Sequence, residues 1–493
     1  MYLKSSASVL LFFIMSSLLA KKQRVSQYGG LYGSSSIYYI KKFLAEFKNI
    51  IVLVDNNTEI NNLSNEFNVF KNDQTKISKF LDLESLPYED VITDVDINGE
   101  RLKTFNNLFK ANKNIVFTTY SAIIKRLVPT DVLENYFIEI DKSSKYNNIR
   151  KILNEFNYHR CDHVTTKGEY SIRGPIIDIF SATYQNPIRI VFDGENIENI
   201  KEFDSISQKS YKEINDFLLS TTSEILLDDD TVKLYKKNCH KYFEKDYIED
   251  IEYDKITNKI NHPTIFTLLP LFYNYTSSFF DLFDGNQTAI ITTKDISVQL
   301  KKISIIYKKY YKKYFDEKYL LDPKKLILER VEYEKLLSKF YTIELSTYKL
   351  DNKINSFNLN TKKLPSLIVN NTFNDPYKYF KTFITNTIYK SLICIRRKSL
   401  YNEIKNILNS LQLKFIEIDY FDDFIKSKSN ISLTKLPVDT GFIDNNDKIA
   451  IISDKDIFGS RSLSKPESQT KKNIIDEYIN DIASLRNRFS YRS

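Results

Sequence analysis

The sequence predicts an α/β protein that also contains a small antiparallel sheet. Apolar strands such as Asn49–Val54 and Asn114–Thr119 are separated by helical patterns, an alternation that is typical of a parallel sheet. The stretch from Tyr158 to Asp204 consists instead of short strands, and two of them flank Asp193-Gly194, a strong hairpin signal. Because 493 residues exceed what one core usually organises, several domains are expected.

The composition favours a globular chain and argues against several kinds of site. Hydrophobic residues make up 42% of the chain, which is ample for folding. The three cysteines and four histidines lack the spacing of a disulfide framework or a zinc site, so no metal is expected. The net charge of +8 is compatible with a nucleic-acid partner. Lysine is nevertheless enriched along the whole chain together with Asn, Ile, Tyr and Phe, and we interpret the charge as a compositional bias.

The first 24 residues form a segment of their own. An apolar run from Ala7 to Ala20 is followed by the basic residues Lys21, Lys22 and Arg24. A run of about 14 residues is short for a membrane span and close to the length of a signal-peptide core. The basic flank after the run argues against export. A packed N-terminal helix is therefore expected, in a cytoplasmic protein with no membrane partner.

The stretch YGGLYGSSSIYYIKK resembles a phosphate-binding loop that has lost its chemistry. The turn contains Gly30, Gly33 and Ser34. Ser36 and Ile37 stand where such a loop places the Lys that reaches the phosphates and the hydroxyl that holds Mg²⁺. We interpret the segment as a degenerate, non-binding nucleotide loop followed by a helix, and expect no cofactor.

The region after the antiparallel sheet is predicted to return to helices and then to a second α/β unit. The pattern turns helical from Lys209, and an Asn-rich stretch at 351–363 is typical of a linker. Candidate strands separated by helical patterns follow it at Leu364–Val369, Ser391–Ile395, Phe415–Ile418 and Ile449–Ser453. After Gly459 a polar stretch leads to a predicted amphipathic helix over Lys472–Arg488.

One predicted helix, over Lys301–Phe315, combines aromatic and basic residues. Its Ile and Tyr side chains recur at helical spacing, with pairs of lysines between them. We interpret the aromatic stripe as the core face of the helix and the lysines as its solvated face. The alternative is a platform on which the bases of a single-stranded nucleic acid stack.

The most specific segments of the sequence are GEYSIRGPIIDIF at 168–180 and RIVFDGENIENIKEFD at 189–204. In these segments the chain resembles the N-terminal half of the bacterial transcription-repair coupling factor, a pattern that this family shares with its relative UvrB. Weaker markers occur in the expected order: Leu86-Pro87-Tyr88, Glu100-Arg101-Leu102, Leu269-Pro270-Leu271-Phe272 and Asp456-Ile457-Phe458-Gly459.

The resemblance implies an α/β fold with a split, degenerate P-loop helicase-like domain, an inserted small antiparallel α+β module and a second small α/β domain. The implied bounds are 1–24 for the N-terminal apolar and basic segment, 25–128 and 213–350 for the two parts of the helicase-like domain, 129–212 for the UvrA-binding-like module, 351–363 for the linker, 364–459 for the small α/β domain, and 460–493 for a polar linker with the terminal helix.

The resemblance also implies a contact with the nucleotide-excision repair protein UvrA. Related proteins make this contact with arginines in the patterns YxR and RxRG, which correspond here to Arg160 and Arg173. Ser171 stands where UvrB has the first Arg of RxRG. Glu169 and Phe180 complete the implied site. A guanidinium fork suits the task because it can hold a partner's carboxylate bidentately.

An alternative interpretation of Arg173 stays open at this point. The same strand and its neighbour carry Glu169 and Asp178, and Arg173 could simply pair with one of these carboxylates on its own sheet. In that case the arginine would be structural.

The coupling-factor family continues into an RNA-polymerase-binding domain, two motor domains and a regulatory domain, which these 493 residues do not contain. The chain is therefore expected to be a truncated, non-catalytic scaffold that binds UvrA and links stalled transcription to DNA repair. ATP is expected only for the motor domains. One alternative is a subunit of a split ATP-dependent translocase, with a separate motor chain or RNA polymerase as its partner. A second is a decaying fragment. A third is a basic DNA-binding protein, although DNA is expected to bind weakly or not at all.

Overall fold

The computed structural model describes residues 24–70, 75–89, 94–243, 247, 250–260, 262, 265–315, 319–351 and 354–459. The predicted helix Lys472–Arg488 and almost all of the segment 1–24 lie outside these residues. Within the described ranges, no helix is long and apolar enough to cross a membrane.

The N-terminal quarter of the chain alternates strands with helices. Its elements are β1 (Val25–Gly29), α1 (Ser35–Phe43), β2 (Asn49–Val54), α2 (Asn57–Phe67), β3 (Thr75–Phe80), α3 (Val95–Lys110), β4 (Lys113–Thr119), α4 (Tyr120–Ile124) and β5 (Arg126–Leu127). Every residue of β2 is buried, as in a parallel strand that is covered on both faces.

The next part is dominated by short strands. Its elements are β6 (Phe137–Asp141), α5 (Tyr146–Glu155), β7 (His159–Arg160), β8 (Glu169–Arg173), β9 (Ile176–Ile179), β10 (Ile188–Asp193), β11 (Asn196–Phe203), β12 (Ser210–Ile214) and β13 (Asp216–Ser220). The expected helical pattern from Lys209 is wrong, because two strands occupy Ser210–Ser220 and the next helix begins at Asp229. The sequence SYKEINDFLLS alternates closely enough for a strand once an edge is available for pairing.

The chain then returns to helices and to the strands that complete the first sheet. The elements are α6 (Asp229–Tyr242), α7 (Ile251–Thr257), α8 (Leu269–Phe272), β14 (Ser277–Ser278), β15 (Thr288–Thr292), α9 (Ile296–Tyr314), α10 (Pro323–Leu326), α11 (Arg330–Leu337), β16 (Tyr341–Leu345) and β17 (Ser356–Asn358). Helix α6 begins with a capping box, in which Asp228 and Thr231 each accept a backbone N–H of the other residue.

The last described part is a second α/β unit. Its elements are β18 (Thr361–Lys362), α12 (Lys378–Asn386), β19 (Lys390–Cys394), α13 (Lys398–Ser410), β20 (Ile416–Glu417), α14 (Phe421–Lys426), β21 (Ile431–Thr434), β22 (Phe442–Asp444), β23 (Ile449–Ser453) and α15 (Asp454–Phe458). The expected strand at Leu364–Val369 is wrong, since this segment joins no sheet and Pro365 lacks the N–H that a ladder needs.

Three sheets organise these elements. The largest has seven strands in the order β17-β1-β16-β15-β2-β4-β3, all parallel, and takes strands from both sides of the antiparallel region. A six-stranded sheet has the order β12-β11-β10-β9-β8-β7 and is antiparallel except between β7 and β8. The third sheet, β18-β22-β23-β19-β21-β20, is mixed. The α/β class with a small antiparallel sheet is confirmed.

The antiparallel region is attached to the rest of the molecule by a two-stranded ribbon. Strand β6, which leads into the region, pairs antiparallel with β13, which leads out of it. The pairing runs from Phe137 opposite Ser220 to Asp141 opposite Asp216. Strand β13 therefore continues the antiparallel region beyond the expected bound at residue 212.

Candidate partner-binding surface

The outer face of the six-stranded sheet carries a row of residues that includes three charged side chains. Strand register places Ser171 opposite Asp178, Asp178 opposite Arg189, and Arg189 opposite Lys201. The next row is Arg173, Ile176, Val191 and Asn199. Side chains of paired residues share a face, so these eight residues, called the outer face below, lie together. The inner face packs its isoleucines against helix α5.

Asp178 is the centre of the outer face. Its carboxylate is 1% exposed and receives two hydrogen bonds from Arg189, from Nε at 2.7 Å and from Nη2 at 2.9 Å. Hydrogen bonding to Asp178 raises the pKa of Arg189. This bidentate pair already balances the buried negative charge.

Arg173 forms a second, more exposed pair with the same carboxylate. Its Nη2 donates to Asp178 Oδ2 at 2.5 Å, and its side chain remains 42% exposed. The structure thus contains the Asp178 pairing of the alternative interpretation, whereas Glu169 is engaged elsewhere. Because Arg189 satisfies Asp178 without help, Arg173 can turn to another carboxylate and leave no buried charge unpaired.

Glu169 shapes the loop between β7 and β8. Its Oε2 accepts hydrogen bonds from the backbone N–H groups of Thr165 and Thr166, both at 2.8 Å. Burial raises the pKa of Glu169, but these hydrogen bonds outweigh it, so the net pKa lies below its ordinary value. The Oε2 atom of this carboxylate therefore stabilises the loop.

Phe180, another of the predicted site residues, is buried. It is 7% exposed and packs with Val164 and Phe203 in a small cluster beneath the same loop. Its N–H donates to Glu169 O at 2.9 Å. Phe180 thus anchors the loop between β7 and β8 and has little surface to offer.

Arg160 lies at the edge of the sheet and on its other side. Strand β7 pairs Arg160 with Tyr170, whose ring packs in the inner core. Because paired residues share a face, Arg160 lies on the face opposite to Arg173. Both arginines are exposed, yet they do not form one flat patch. A partner that touches both must wrap around the β7 edge.

Two apolar residues of the outer face were not among the predicted site residues. Ile176 and Val191 are partly exposed and are direct register partners, and Ile176 also pairs with Arg173. An apolar pair beside an exposed arginine is a common centre for a protein contact. The sequence could have identified them, because alternate residues of a strand share a face. Ile176 is two residues before Asp178 in β9, and Val191 is two residues after Arg189 in β10.

The loop after β1 has its polar groups satisfied within the chain. Four of its backbone amides donate hydrogen bonds to oxygens of the chain: Gly30 to Tyr348 O at 2.9 Å, Leu31 to Ser346 O at 3.2 Å, Tyr32 to Thr361 Oγ1 at 2.9 Å, and Ser34 to Thr440 O at 3.0 Å. A phosphate-binding loop needs such amides free and pointing at the ligand. In this chain they hold the loop against segments from the C-terminal part of the described chain.

Gly33 explains why the turn is glycine-rich although its amides are occupied. Its φ is +53°, and a Cβ at this position would lie 2.8 Å from Thr440 O and 2.9 Å from Gly441 O. The glycine therefore permits close contact with the small α/β unit. Helix α1 continues the contact, since Tyr39 donates to Asp444 Oδ2 at 2.7 Å.

A cavity lies at the carboxyl ends of the parallel strands beside this loop. It measures about 160 Å³ and is lined in part by Ser36, Ile37, Asp55 and Thr292. Sites for small molecules usually measure about 300 to 1,000 Å³. In the described ranges, no group of three or more His, Cys, Asp and Glu side chains is arranged to hold a metal ion.

The marker Glu100-Arg101-Leu102 has a structural explanation. Arg101 is 2% exposed and forms an ion pair with the equally buried Glu224, just beyond β13. Its Nη2 lies 3.1 Å from Glu224 Oε2, and its Nη1 donates to Leu81 O at 2.8 Å. The guanidinium also stacks over the Phe80 ring, 3.8 Å from the centroid. This residue joins the antiparallel region to the seven-stranded sheet.

Family models match two parts of the chain. The UvrB interaction domain matches residues 137–224, from the first residue of β6 to the glutamate that pairs with Arg101. The MFD, D3 domain matches residues 383–457, within the C-terminal α/β unit. The chain thus matches a UvrB interaction domain and an MFD D3 domain in one sequence.

Comparison with curated proteins points to one family. The chain is 24% identical to the transcription-repair-coupling factor of Haemophilus influenzae over 416 residues, which is 83% of this chain and 36% of that protein. It is 25% identical to the coupling factor of Borreliella burgdorferi over 469 residues, covering 92% and 38% of the two chains. With that of Bacillus subtilis, 146 residues align at 28% identity, covering 29% and 12%.

These matches confirm the predicted resemblance to the N-terminal half of transcription-repair coupling factors. The chain spans somewhat more than a third of the length of the relatives that it matches over most of its own length.

Proposed function

We propose that this chain binds UvrA through the outer face and the β7 edge of its six-stranded sheet, and so serves transcription-coupled nucleotide-excision repair. The observation that carries the proposal is the redundancy at Asp178. Arg189 balances the buried carboxylate, and Arg173 remains 42% exposed beside the apolar residues Ile176 and Val191. The UvrB interaction domain match over the same residues supports it.

Binding would exchange one carboxylate partner of Arg173 for another. The guanidinium leaves Asp178, forms a bidentate pair with an acidic side chain of UvrA, and becomes desolvated as Ile176 and Val191 are covered. Such a charge-assisted pair is stronger in the dry interface than at the solvated surface. Arg160 contributes from the other side of the β7 edge.

The test is an affinity measurement between the purified chain and UvrA from the same organism. We expect Arg173→Ala to weaken binding at least 10-fold, the loss typical of an interface anchor, and Arg160→Ala to add to it. Arg330→Ala is a matched control, since Arg330 is equally an exposed arginine in an ion pair, with Glu334 of its own helix. Binding that survives the Arg160→Ala and Arg173→Ala double change would refute the assigned surface.

We further propose that the seven-stranded part is a split helicase-like domain that acts as a non-catalytic scaffold. The occupied amides of the loop after β1 and the 160 Å³ cavity beside it support this assignment. Titration with a fluorescent ATP analogue and Mg²⁺ tests it. No saturable binding up to millimolar nucleotide is expected, and a 1:1 complex that Gly33→Val abolishes would contradict the proposal.

A further inference from the structure

Helix α9 presents a basic face that the UvrA contact does not use. The helix has 19 residues, contains six lysines and has no Asp or Glu. Its first turn is capped by Asp295, whose side chain accepts the Val298 N–H at 3.0 Å. Among the described helices, α6 offers the nearest comparison, with four lysines but two aspartates in its first turn.

The lysines are arranged in two parallel rows. Residues spaced by four, three and four positions fall on one side of a helix, and this spacing gives the rows Lys301-Ile305-Lys308-Lys312 and Lys302-Ile306-Lys309-Lys313. All eight residues are exposed, with Ile305 at 57% and Ile306 at 42%. In the described part of the chain no carboxylate forms an ion pair with any of these lysines.

The opposite side of the helix is committed to the core. Tyr307 is 8% exposed, and Ile303, Tyr310, Tyr311 and Tyr314 are partly buried against the same core. The interpretation of the tyrosines as the core face is confirmed, and their rings do not form a platform for stacked bases. What the helix leaves in solvent is a ridge of positive charge.

We infer that the two lysine rows of α9 bind the phosphate backbone of duplex DNA without reading its sequence. The rows extend about 16 Å, at roughly 1.5 Å per residue. Over that distance a duplex presents about ten phosphates, at one charge per roughly 1.7 Å. Evenly spaced lysines suit such a target because an ammonium group acts as a point charge and needs no fixed orientation.

The chemistry of the ridge favours DNA over two other polyanionic partners. A membrane-binding helix inserts a broad apolar face, whereas the apolar face of α9 is already buried in the core. An acidic protein would be held by Trp, Tyr or Arg anchors, and the two rows contain only lysines and two isoleucines, with Val298 exposed before them. The inference revises the expectation that DNA binds weakly or not at all.

The experiment measures fluorescence anisotropy of a labelled 30-base-pair duplex with the full 493-residue chain, between 50 and 200 mM salt. The test variant carries Lys→Gln at 301, 302, 308 and 309. The matched control removes four exposed lysines from α6, with Lys→Gln at 233, 236, 237 and 241. We expect the test variant to lose at least 10-fold in affinity at 50 mM salt and the control less than 3-fold.

The salt dependence gives a second readout. Since each neutralised phosphate contributes about 0.9 to the slope of log affinity against log salt, the test variant should lower the slope by about 3 to 4. If that variant melts at a lower temperature than the wild type, Lys308→Gln with Lys309→Gln makes the same test at about half the slope change.

Three results would overturn the inference. They are equal loss of affinity in the test and control variants, absence of wild-type binding at 50 mM salt, and binding to phosphatidylglycerol vesicles or to polyglutamate that is tighter than binding to the duplex and is lost in the test variant. An unchanged affinity for UvrA in the α9 variant would separate this surface from the outer face.

Discussion

Two arginine–carboxylate clusters in this protein use the same chemistry in opposite settings. Arg101 and Glu224 are sealed between the seven-stranded sheet and the antiparallel region, at 2% and 3% exposure of their side chains. Asp178 is buried as deeply, at 1%, but it is shared between Arg189 and the half-exposed Arg173. In the first cluster one arginine pairs with one carboxylate. In the second, two arginines pair with the carboxylate of Asp178, which Arg189 alone can balance.

The difference distinguishes an arginine that stabilises the fold, Arg101, from one that is available to bind a partner, Arg173. Removing one member of a sealed pair leaves a bare charge in the interior, which is costly. Removing the extra donor of a shared carboxylate leaves the charge balanced. Since both arginines lie in segments that mark the family, a motif match alone does not tell these roles apart.

The largest expected effect is on the sealed pair. Arg101→Ala should lower the free energy of unfolding by about 3 to 5 kcal/mol, because Glu224 would stay buried without a counter-charge. Urea denaturation followed by circular dichroism measures it. Arg126→Ala, which breaks a partly exposed pair with Glu332, is the control and should cost about 1 kcal/mol or less. Equal losses would erase the contrast between sealed and open pairs.

The next effect tests which arginine balances Asp178. Arg189→Ala should destabilise the protein by about 1 to 3 kcal/mol, since two charge-assisted hydrogen bonds to a buried carboxylate are lost and Arg173 replaces them only in part. The measurement is the same denaturation experiment. A loss no larger than that of Arg173→Ala would mean that the two arginines contribute equally.

Arg173→Ala should change stability least among the arginine variants, by about 0 to 1 kcal/mol, the range of exposed ion pairs. The same variant is expected to lose at least 10-fold in affinity for UvrA. Measuring both quantities on one preparation sharpens the comparison. A large loss of stability would place Arg173 with Arg101 as a structural residue.

The smallest effect concerns acid and the loop between β7 and β8. A carboxylate whose pKa is lowered by folding stabilises the protein above its unfolded pKa, about 4.3 for Glu, and loses this contribution as the pH falls through its folded pKa. Glu169 has such a lowered pKa. Glu169→Gln should therefore show a smaller drop in melting temperature between pH 7 and pH 3.5 than the wild type. Equal drops in melting temperature for the variant and the wild type would show that Glu169 does not contribute to the loss of stability in acid.

The sequence predicted best those elements that local pattern alone determines. Strand β2 is continuous in apolar residues, and the β10–β11 hairpin turns at Asp193-Gly194, so both were identifiable within a few residues. The pairing of strands that are distant in the sequence is harder to predict. The sequence pattern predicts helix where β13 lies, because the pairing of β13 with β6 joins residues about 80 positions apart and no local signal indicates it.

The candidate site was predictable in its residues but not in its arrangement. The sequence suggests that Arg173 and Asp178 can pair, but it does not indicate that Arg189 binds the same carboxylate and so leaves Arg173 available for another partner. The resemblance assigns Arg160 and Arg173 to one site, although the register of β7 places the two on opposite faces. Register is a long-range property, and a one-residue slip would have reversed that relation.

The ribbon of β6 and β13 has a consequence for how this architecture can spread among proteins. The module it carries begins and ends at adjacent points, with the Thr221 N–H bonded to Tyr136 O at 3.0 Å. In the domain built on the seven-stranded sheet, these roughly eighty residues therefore take the place of a single surface loop. An insertion of this geometry can be gained, exchanged or deleted without changing the path of the host chain, so the proposed partner contact lies in a part that can be replaced as a unit.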